Sequence, residues 1–309
     1  MKIITLTLNP AFDMHCFCES FSPYHENLAS ITALEAGGKG VNISRALTSL
    51  GVENTALVVL GDENADSFVK ALRDDGINSI CIEAEGRIRE NITLHTSGSP
   101  ETRISFRGFK ADSSLLSQVE EKLDALVDSD TVLTFTGSMP EGISVSDAKK
   151  MLMKMKAKGA RIVIDSKSFT FDDLRDVCPW LIKPNEEEIS AYSSLSVNDL
   201  EDAARAADEL RGICSENVMI SLGGAGAVLS TSEGIFISSA PRIEVRSTIG
   251  AGDSSIAGFI AAASEGCAYP EMLRRAICYG SAACMSEGTR PPKKEDVDNL
   301  IKTVEVKKI

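Results

Sequence analysis

The sequence predicts an α/β fold: a mostly parallel sheet covered by helices on both faces. Short apolar, β-branched runs recur along the chain, such as KIITLTL at Lys2–Leu8, RIVID at Arg161–Asp165 and NVMIS at Asn217–Ser221. Segments with apolar residues at helical spacing separate them, as at Ile43, Ala46, Leu47 and Leu50. Buried strands alternating with helices form parallel sheets whose two faces are both covered. At 309 residues the chain is long enough to bury a large core.

Taken in order, Lys2–Leu8 is the first strand. Asn9-Pro10 stops it, and Asp13 follows at the strand's C-terminal end, where open parallel sheets bind ligands. Residues 12–33 are irregular, with alternations such as Ala29–Leu34, and read as strands outside the main rhythm. Glu35-Ala36-Gly37-Gly38-Lys39-Gly40 leads into a helix that Gly51 stops. Ala56–Leu60, Ala65–Asp74 and Ile77–Ile82 read as strand, helix and strand. Ile92–His95 and Thr102–Phe106 flank Ser97-Gly98-Ser99-Pro100 as a hairpin.

A steady rhythm follows. Leu115–Val127 reads as a helix, Thr131–Phe135 as a strand, Ser146–Lys158 as a helix, then Arg161–Asp165 and Trp180–Lys183 as strands. A helix is expected over Asn185–Tyr192 and another over Leu200–Leu210, before the strand Asn217–Ser221 and a hairpin of Ala227–Ser230 with Gly234–Ser238. The small-residue run Ser255–Ala263 reads as a buried helix, and Leu273–Ser286 and Lys294–Thr303 as the last helices. No repeat, low-complexity tract or linker divides the chain, so residues 1–309 are expected to form a single domain. The β insertions at about 12–34 and 88–108 are expected to pair into a small lid.

Composition limits the function. A net charge of −13 argues against a general nucleic-acid binder, although a few local Arg and Lys suffice for a small anion. No apolar run approaches the roughly eighteen residues a membrane helix needs. Met1-Lys2-Ile3-Ile4 runs straight into a strand pattern without a signal peptide, so a cytoplasmic location is expected. The eight Cys stand singly except Cys16-x-Cys18, and with three His they give no structural metal spacing; reduced thiols are expected.

The chemistry centres on Thr248-Ile249-Gly250-Ala251-Gly252-Asp253. Paired glycines bring bare N–H groups close to a ligand, and a helix beginning at Asp253 would aim its positive dipole end at an anion such as phosphate. Asp253 could cap that helix or take a proton from an attacking hydroxyl. Gly40 stands where Ser or Thr should follow Lys39, which argues against a P-loop, and Gly250-x-Gly252 lies far from the first strand with no third glycine in register, which argues against a Rossmann site.

Five segments occur in one order: Thr7-Leu8-Asn9-Pro10-Ala11-Phe12-Asp13, Gly37-Gly38-Lys39-Gly40-Val41-Asn42, Lys183-Pro184-Asn185-Glu186-Glu187-Glu188, Ser221-Leu222-Gly223 and Gly250-Ala251-Gly252-Asp253. Together they resemble the PfkB, or ribokinase-like, sugar kinases over nearly the whole chain, and within them the 1-phosphofructokinase and tagatose-6-phosphate kinase branch. The resemblance implies a three-layer α/β/α sandwich with a small β lid. It also implies ATP- and Mg²⁺-dependent phosphorylation of a ketohexose monophosphate, fructose 1-phosphate first, with tagatose 6-phosphate or fructose 6-phosphate as the alternative. A non-catalytic sugar-phosphate sensor and a neutral-sugar or nucleoside kinase are further readings.

By that resemblance Asp253 is the catalytic base, and Gly250, Ala251 and Gly252 form the anion hole. Asp13, Gly37, Gly38, Lys39 and Asn42 meet the sugar, with Ser138 nearby, and Arg89 anchors its existing phosphate by a bidentate fork. Lys39 also has a bland reading as a solvated loop lysine, and an exposed strand face explains Arg103 and Arg107 as well as substrate contact does. Lys183, Ser221, Gly223, Gly226 and Gly280 border ATP, with Gly280–Ala283 near the adenine. Asn185 and Glu188 serve Mg²⁺, although Glu186–Glu188 are also the acids a helix N-terminus favours. Ser247 or Gly288 would serve a K⁺ ion, and a homodimer through the lid is implied. Three departures from the family pattern stand out: Asp165-Ser166-Lys167-Ser168, Ile88 and Glu90 beside Arg89, and Glu141 after Met139-Pro140.

Overall fold

β1 (Lys2–Thr7) lies inside a ten-stranded sheet. Ile4 and Leu6 enter the apolar cluster on one face and Ile3 the cluster on the other, so the strand is buried on both sides. The computed structural model describes every residue except Ser194 and Glu287, and every side chain of these except Ser99 and Pro100.

The chain continues through β2 (Ala11–Cys18), β3 (Ser30–Gly37), α1 (Lys39–Ser49), β4 (Thr55–Gly61), α2 (Ala65–Asp74) and β5 (Ser79–Ala84). Next come β6 (Arg89–Thr96), β7 (Ser99–Ile104), α3 (Ser113–Leu126), β8 (Thr131–Thr136), α4 (Val145–Ala157), β9 (Arg161–Asp165), α5 (Phe171–Val177), β10 (Leu181–Ile182) and α6 (Glu186–Ile189). Then follow α7 (Leu200–Leu210), β11 (Asn217–Ser221), β12 (Ala227–Thr231), β13 (Gly234–Ser238), α8 (Ala251–Ser264), α9 (Tyr269–Cys284), α10 (Lys294–Ile301) and β14 (Lys307–Lys308).

The large sheet runs β14-β13-β12-β11-β10-β9-β8-β1-β4-β5, parallel from β5 to β11 and antiparallel beyond. From β1 the chain moves first to β4 and β5 on one side, then to β8 on the other. The order therefore reverses at β1, and the crevice outside the C-terminal ends of β1 and β8 is where such sheets hold ligands. Leu123, Met151, Leu174 and Ala207 bring α3, α4, α5 and α7 onto one face. Ile43, Phe259, Ile277 and Val297 bring α1, α8, α9 and α10 onto the other. The result is the three-layer α/β/α sandwich.

The insertions form a separate sheet in the order β3-β2-β6-β7. Its two faces differ as strand alternation requires. One cross-strand row is apolar, Leu34–Met14–Ile92–Ile104; the next is polar, Glu35–Asp13–Asn91. Asp13 is therefore presented from the polar face.

The structure departs from the sequence expectations at four short pieces. The stretch Trp180–Lys183 keeps only Leu181–Ile182 as strand, and the helix expected over Asn185–Tyr192 spans Glu186–Ile189. α5 and β14 were not expected: α5 is too short for a helical period to register, and β14 is a polar edge pair joined to β13.

Candidate active site

Two helix N-termini meet over the crevice, and both are capped by glycine. Gly38 caps α1 at φ 115° and Gly250 caps α8 at φ 77°, neither with a side-chain cap bond. These positive φ values are ones other residues avoid. α8 therefore begins at Ala251, and Asp253 is its third residue. This corrects the expected start: Asp253 does not cap α8, and its carboxylate is left for other partners. Gly252 and Asp253 N–H find no acceptor among the described residues, so the dipole end of α8 is open to an anion. Ala251 N–H reaches Thr248 O only at 3.4 Å.

Asp253 is buried, and Asn42 Nδ2 donates to its Oδ2 at 2.9 Å. Burial pushes its pKa up to about 6; Lys39, Lys183 and the Asn42 bond oppose that rise, while Asp165 adds to it. Lys39 Nζ donates to Asp165 Oδ2 at 3.0 Å, and Lys183 Nζ stands 3.9 Å from the same oxygen. Burial alone would raise Asp165, yet the two ammonium groups hold its carboxyl below the usual range. Burial likewise pulls Lys39 down, but Asp165 and Asp253 reverse this and its pKa is raised. A Cβ on Gly252 would stand 3.2 Å from Lys183 Nζ, so this glycine lets the ammonium approach the start of α8. Two acids and two lysines thus interlock beneath the anion site.

The residues expected to meet the sugar gather beside this cluster. Asn91 Nδ2 donates to Asp13 Oδ1 at 3.0 Å, and burial raises the Asp13 pKa despite that bond. Gly37 lies flat under the same carboxylate; a Cβ there would overlap Asp13 Oδ2. Arg89 donates from Nη2 to Asn9 O at 3.1 Å, from Nε to Pro10 O at 3.3 Å and from Nη1 to Phe106 O at 3.3 Å. Its Nη2 also lies 3.5 Å from Ser138 Oγ, which accepts from Asn9 Nδ2 at 3.1 Å. Arg103 lies near enough for its charge to act on Asp13, whereas Arg107 is exposed with no polar partner among the described residues.

The unusual acids are neutralised. Glu90 pairs with Arg87 at 2.6 Å, Glu141 pairs with Lys110 at 3.1 Å, and Ile88 is wholly buried. In the altered turn after β9, Ser166 Oγ donates to Gly137 O at 2.6 Å and Lys167 approaches Glu188 at 3.7 Å.

Asn185 and Glu188 form a reciprocal capping box: Asn185 Oδ1 accepts from Glu188 N–H at 2.8 Å, and Glu188 Oε2 accepts from Asn185 N–H at 3.2 Å. The other carboxylate oxygen, Oε1, makes no hydrogen bond among the described residues and lies 3.7 Å from the exposed Lys167 ammonium. That suits Mg²⁺, which keeps most of its waters and binds through one or two carboxylates and substrate phosphates. A cavity of about 10 Å³, room for a single water, joins Asp165, Lys183 and Glu188.

Among the residues expected to border ATP, Ser221 N–H donates to Pro184 O at 3.2 Å and Gly223 is exposed in the turn after β11. Gly226 and Gly280 are buried by packing: a Cβ would strike Ser238 O at the first and Ser255 Oγ at the second. Ser247 leads into the Gly250 turn and bonds Cys284 O through its N–H, whereas Gly288 lies against His15 of the four-stranded sheet. A larger hollow of about 740 Å³ opens beneath Met1–Ile4 and Gly51–Thr55, at the strand ends opposite this site.

Sequence reasoning missed two charged residues here. Asp165 was read only as part of an altered turn. Arg45 was not singled out, although its i, i+3 spacing from Asn42 places both on one helix face.

The pfkB family carbohydrate kinase model matches residues 11–296. A 1-phosphofructokinase of Escherichia coli K12 is 32% identical over 260 residues, covering 84% of this chain and 83% of that protein. A 1-phosphofructokinase of Bacillus subtilis 168 is 29% identical over 309 residues, covering 99% and 100%. The solved phosphofructokinase-2 of Escherichia coli in complex with substrates and products superposes with a TM-score of 0.91 at 27% identity, covering 98% of this chain and 99% of that one.

Proposed function

The chain belongs to the pfkB family of carbohydrate kinases, and from that premise we propose that it transfers the γ-phosphoryl group of ATP to fructose 1-phosphate, giving fructose 1,6-bisphosphate. The observation that carries the reading is the placement of Asp253: a buried carboxylate on the first turn of a glycine-capped helix, beside unpaired N–H groups. Relatives named 1-phosphofructokinase support the choice of substrate.

In this reading Asp13 and Asn91 hold the sugar hydroxyls, and Arg89 turns from its carbonyl partners toward the existing phosphate. Asp253 takes the proton of the attacking hydroxyl. With its pKa near 6, most of it is ionised at pH 7 yet basic enough to accept. The α8 N–H groups, Lys39 and Lys183 meet the charge of the transferring phosphoryl. Glu188, with Asn185 behind it, would hold Mg²⁺, which supplies charge neutralisation on the phosphates when bound. Ser221 and Gly223 border the nucleotide, and Ser247 lies where K⁺ would support the Gly250 turn. The half-exposed Leu34 and Ile104 end the apolar row of the lid, a face that a second subunit would cover in a homodimer.

A second reading, phosphorylation of fructose 6-phosphate, is favoured by the 28% identity over 303 residues to an Escherichia coli protein named ATP-dependent 6-phosphofructokinase isozyme 2. ADP release measured across fructose 1-phosphate, fructose 6-phosphate, tagatose 6-phosphate and neutral sugars separates these readings. Turnover of neutral sugars alone sinks the phosphosugar claim. Asp253→Asn should lose several orders of magnitude in kcat, and a near-normal kcat removes Asp253 as the base.

A further inference from the structure

Arg45 is a buried cation that the reaction above does not use. Its side chain is 7% exposed. Nε donates to Asp75 Oδ2 at 2.8 Å, Nη2 donates to Ala36 O, and Nη1 donates to Asn42 Oδ1 at 3.0 Å. A guanidinium only donates. The end of the Asn42 amide held by Arg45 must therefore be its oxygen, and the nitrogen is turned to Asp253 Oδ2.

We propose that Arg45 is a positioning residue for the catalytic base: anchored by Asp75 and Ala36, it fixes the Asn42 amide in the one orientation that donates to Asp253. The inference rests on the reading of Asp253 as general base. With the amide turned over, Oδ1 would face the carboxylate, oxygen against oxygen. That arrangement is relieved only when Asp253 is protonated, and a protonated Asp253 cannot accept the substrate's proton. The fixed amide also engages Oδ2, which leaves Oδ1 of Asp253 to meet the hydroxyl. The chain of contacts joins the end of α2, the root of the lid at Ala36, the first turns of α1 and the first turn of α8.

The other charged groups facing Asp253 are Lys39 on α1, Asp165 at the end of β9 and Lys183 after β10. None is a hydrogen-bond partner of Arg45. A change at Arg45 thus reaches Asp253 through Asn42 or through the field of its own charge, and a double-variant cycle separates the two.

The test compares pH profiles of kcat/KM for the wild type, Arg45→Met, Asn42→Leu, the double variant and Asp75→Asn, with Asp253→Asn as the control for the base itself. Arg45→Met should move the acid limb up by about one pH unit and lower the rate below that limb about tenfold. Asn42→Leu should move it at least as far, and adding Arg45→Met should move it no further. Asp75 lies at the half-exposed end of α2, and Asp75→Asn should give a smaller shift in the same direction. An unmoved limb in Arg45→Met, with only a lower melting temperature, overturns the proposal. So does a further shift in the double variant, which would assign the effect to the charge alone. If Arg45→Met does not fold, an unmoved limb in Asp75→Asn overturns it. High activity in Asp253→Asn would instead overturn the base assignment, a separate failure.

Discussion

Lys39 Nζ reaches across from the first residue of α1 to Asp165 Oδ2, 3.0 Å away at the end of β9. The contact places a lysine of the diglycine segment between two buried carboxylates, because Lys39 also acts on Asp253. Its charge pulls the Asp253 pKa down from where burial would leave it. Lys39→Met should therefore raise the acid limb of the kcat/KM profile above the wild-type limb near pH 6, with kcat falling by about 10²–10³-fold from the lost phosphoryl contact. The pH–rate profile is the measurement; a loss of rate with an unmoved limb would separate Lys39 from the base electrostatically.

Glu188 has two candidate duties, and one substitution distinguishes them. Glutamine also completes a capping box, because its side-chain oxygen accepts from the Asn185 N–H as the carboxylate does. Glu188→Gln should keep the unfolding free energy within about 1 kcal/mol of wild type and raise the Mg²⁺ concentration needed for half-maximal rate at least several-fold. An unchanged Mg²⁺ dependence would leave Glu188 with the cap alone.

Gly37 makes room for the Asp13 carboxylate. Adding one methyl there pushes Asp13 off the position it shares with Asn91. Gly37→Ala should raise KM for the sugar phosphate about 10–100-fold while KM for ATP stays near wild type, since a displaced hydroxyl contact costs a few kcal/mol. Initial-rate kinetics with each substrate varied in turn decides it. Equal rises in both KM values would point to a general distortion of the crevice.

Residue type and period carried the fold wherever an element was long or well capped. α2 and α7 begin and end where the sequence placed them: Asn64 precedes the first, and Asp199 caps the second through Asp202 N–H. α5 escaped notice at seven residues, although Thr170 and Asp173 form a capping box that was legible in the sequence. The start of α8 was misplaced because Asp is a common cap, whereas here Gly250 in a left-handed conformation does that work. At the site, local motifs named Lys39, Asn42 and Asp253 but not the contacts that tie them to Asp165 and Arg45. Lys39 and Asp165 are 126 residues apart, and only the order of strands in the sheet brings them together. The acids at positions 90 and 141 stood out as departures from the family pattern, and their partners, Arg87 and Lys110, were not weighed with them.

A buried carboxylate held ionised is a burden on the fold, and Asp253 should show it. Its pKa in the folded chain is about 6, against 3.8 for the ordinary group. A raised pKa means that the protonated form is the one folding favours. That contribution is fully present below the unfolded pKa and is lost as pH rises through about 6. Above pH 7 the ionised group costs the native state up to about 3 kcal/mol. Asparagine has nearly the same shape and no charge to desolvate. Asp253→Asn should thus be more stable than wild type at pH 8 by about 1–3 kcal/mol, with the gap closing as pH falls to 4. Denaturant unfolding of both proteins across that range measures it. A gap that stays constant with pH, or widens toward acid, contradicts the raised pKa. The expected result makes the same residue costly for stability and required for rate, the trade that buried catalytic groups commonly impose.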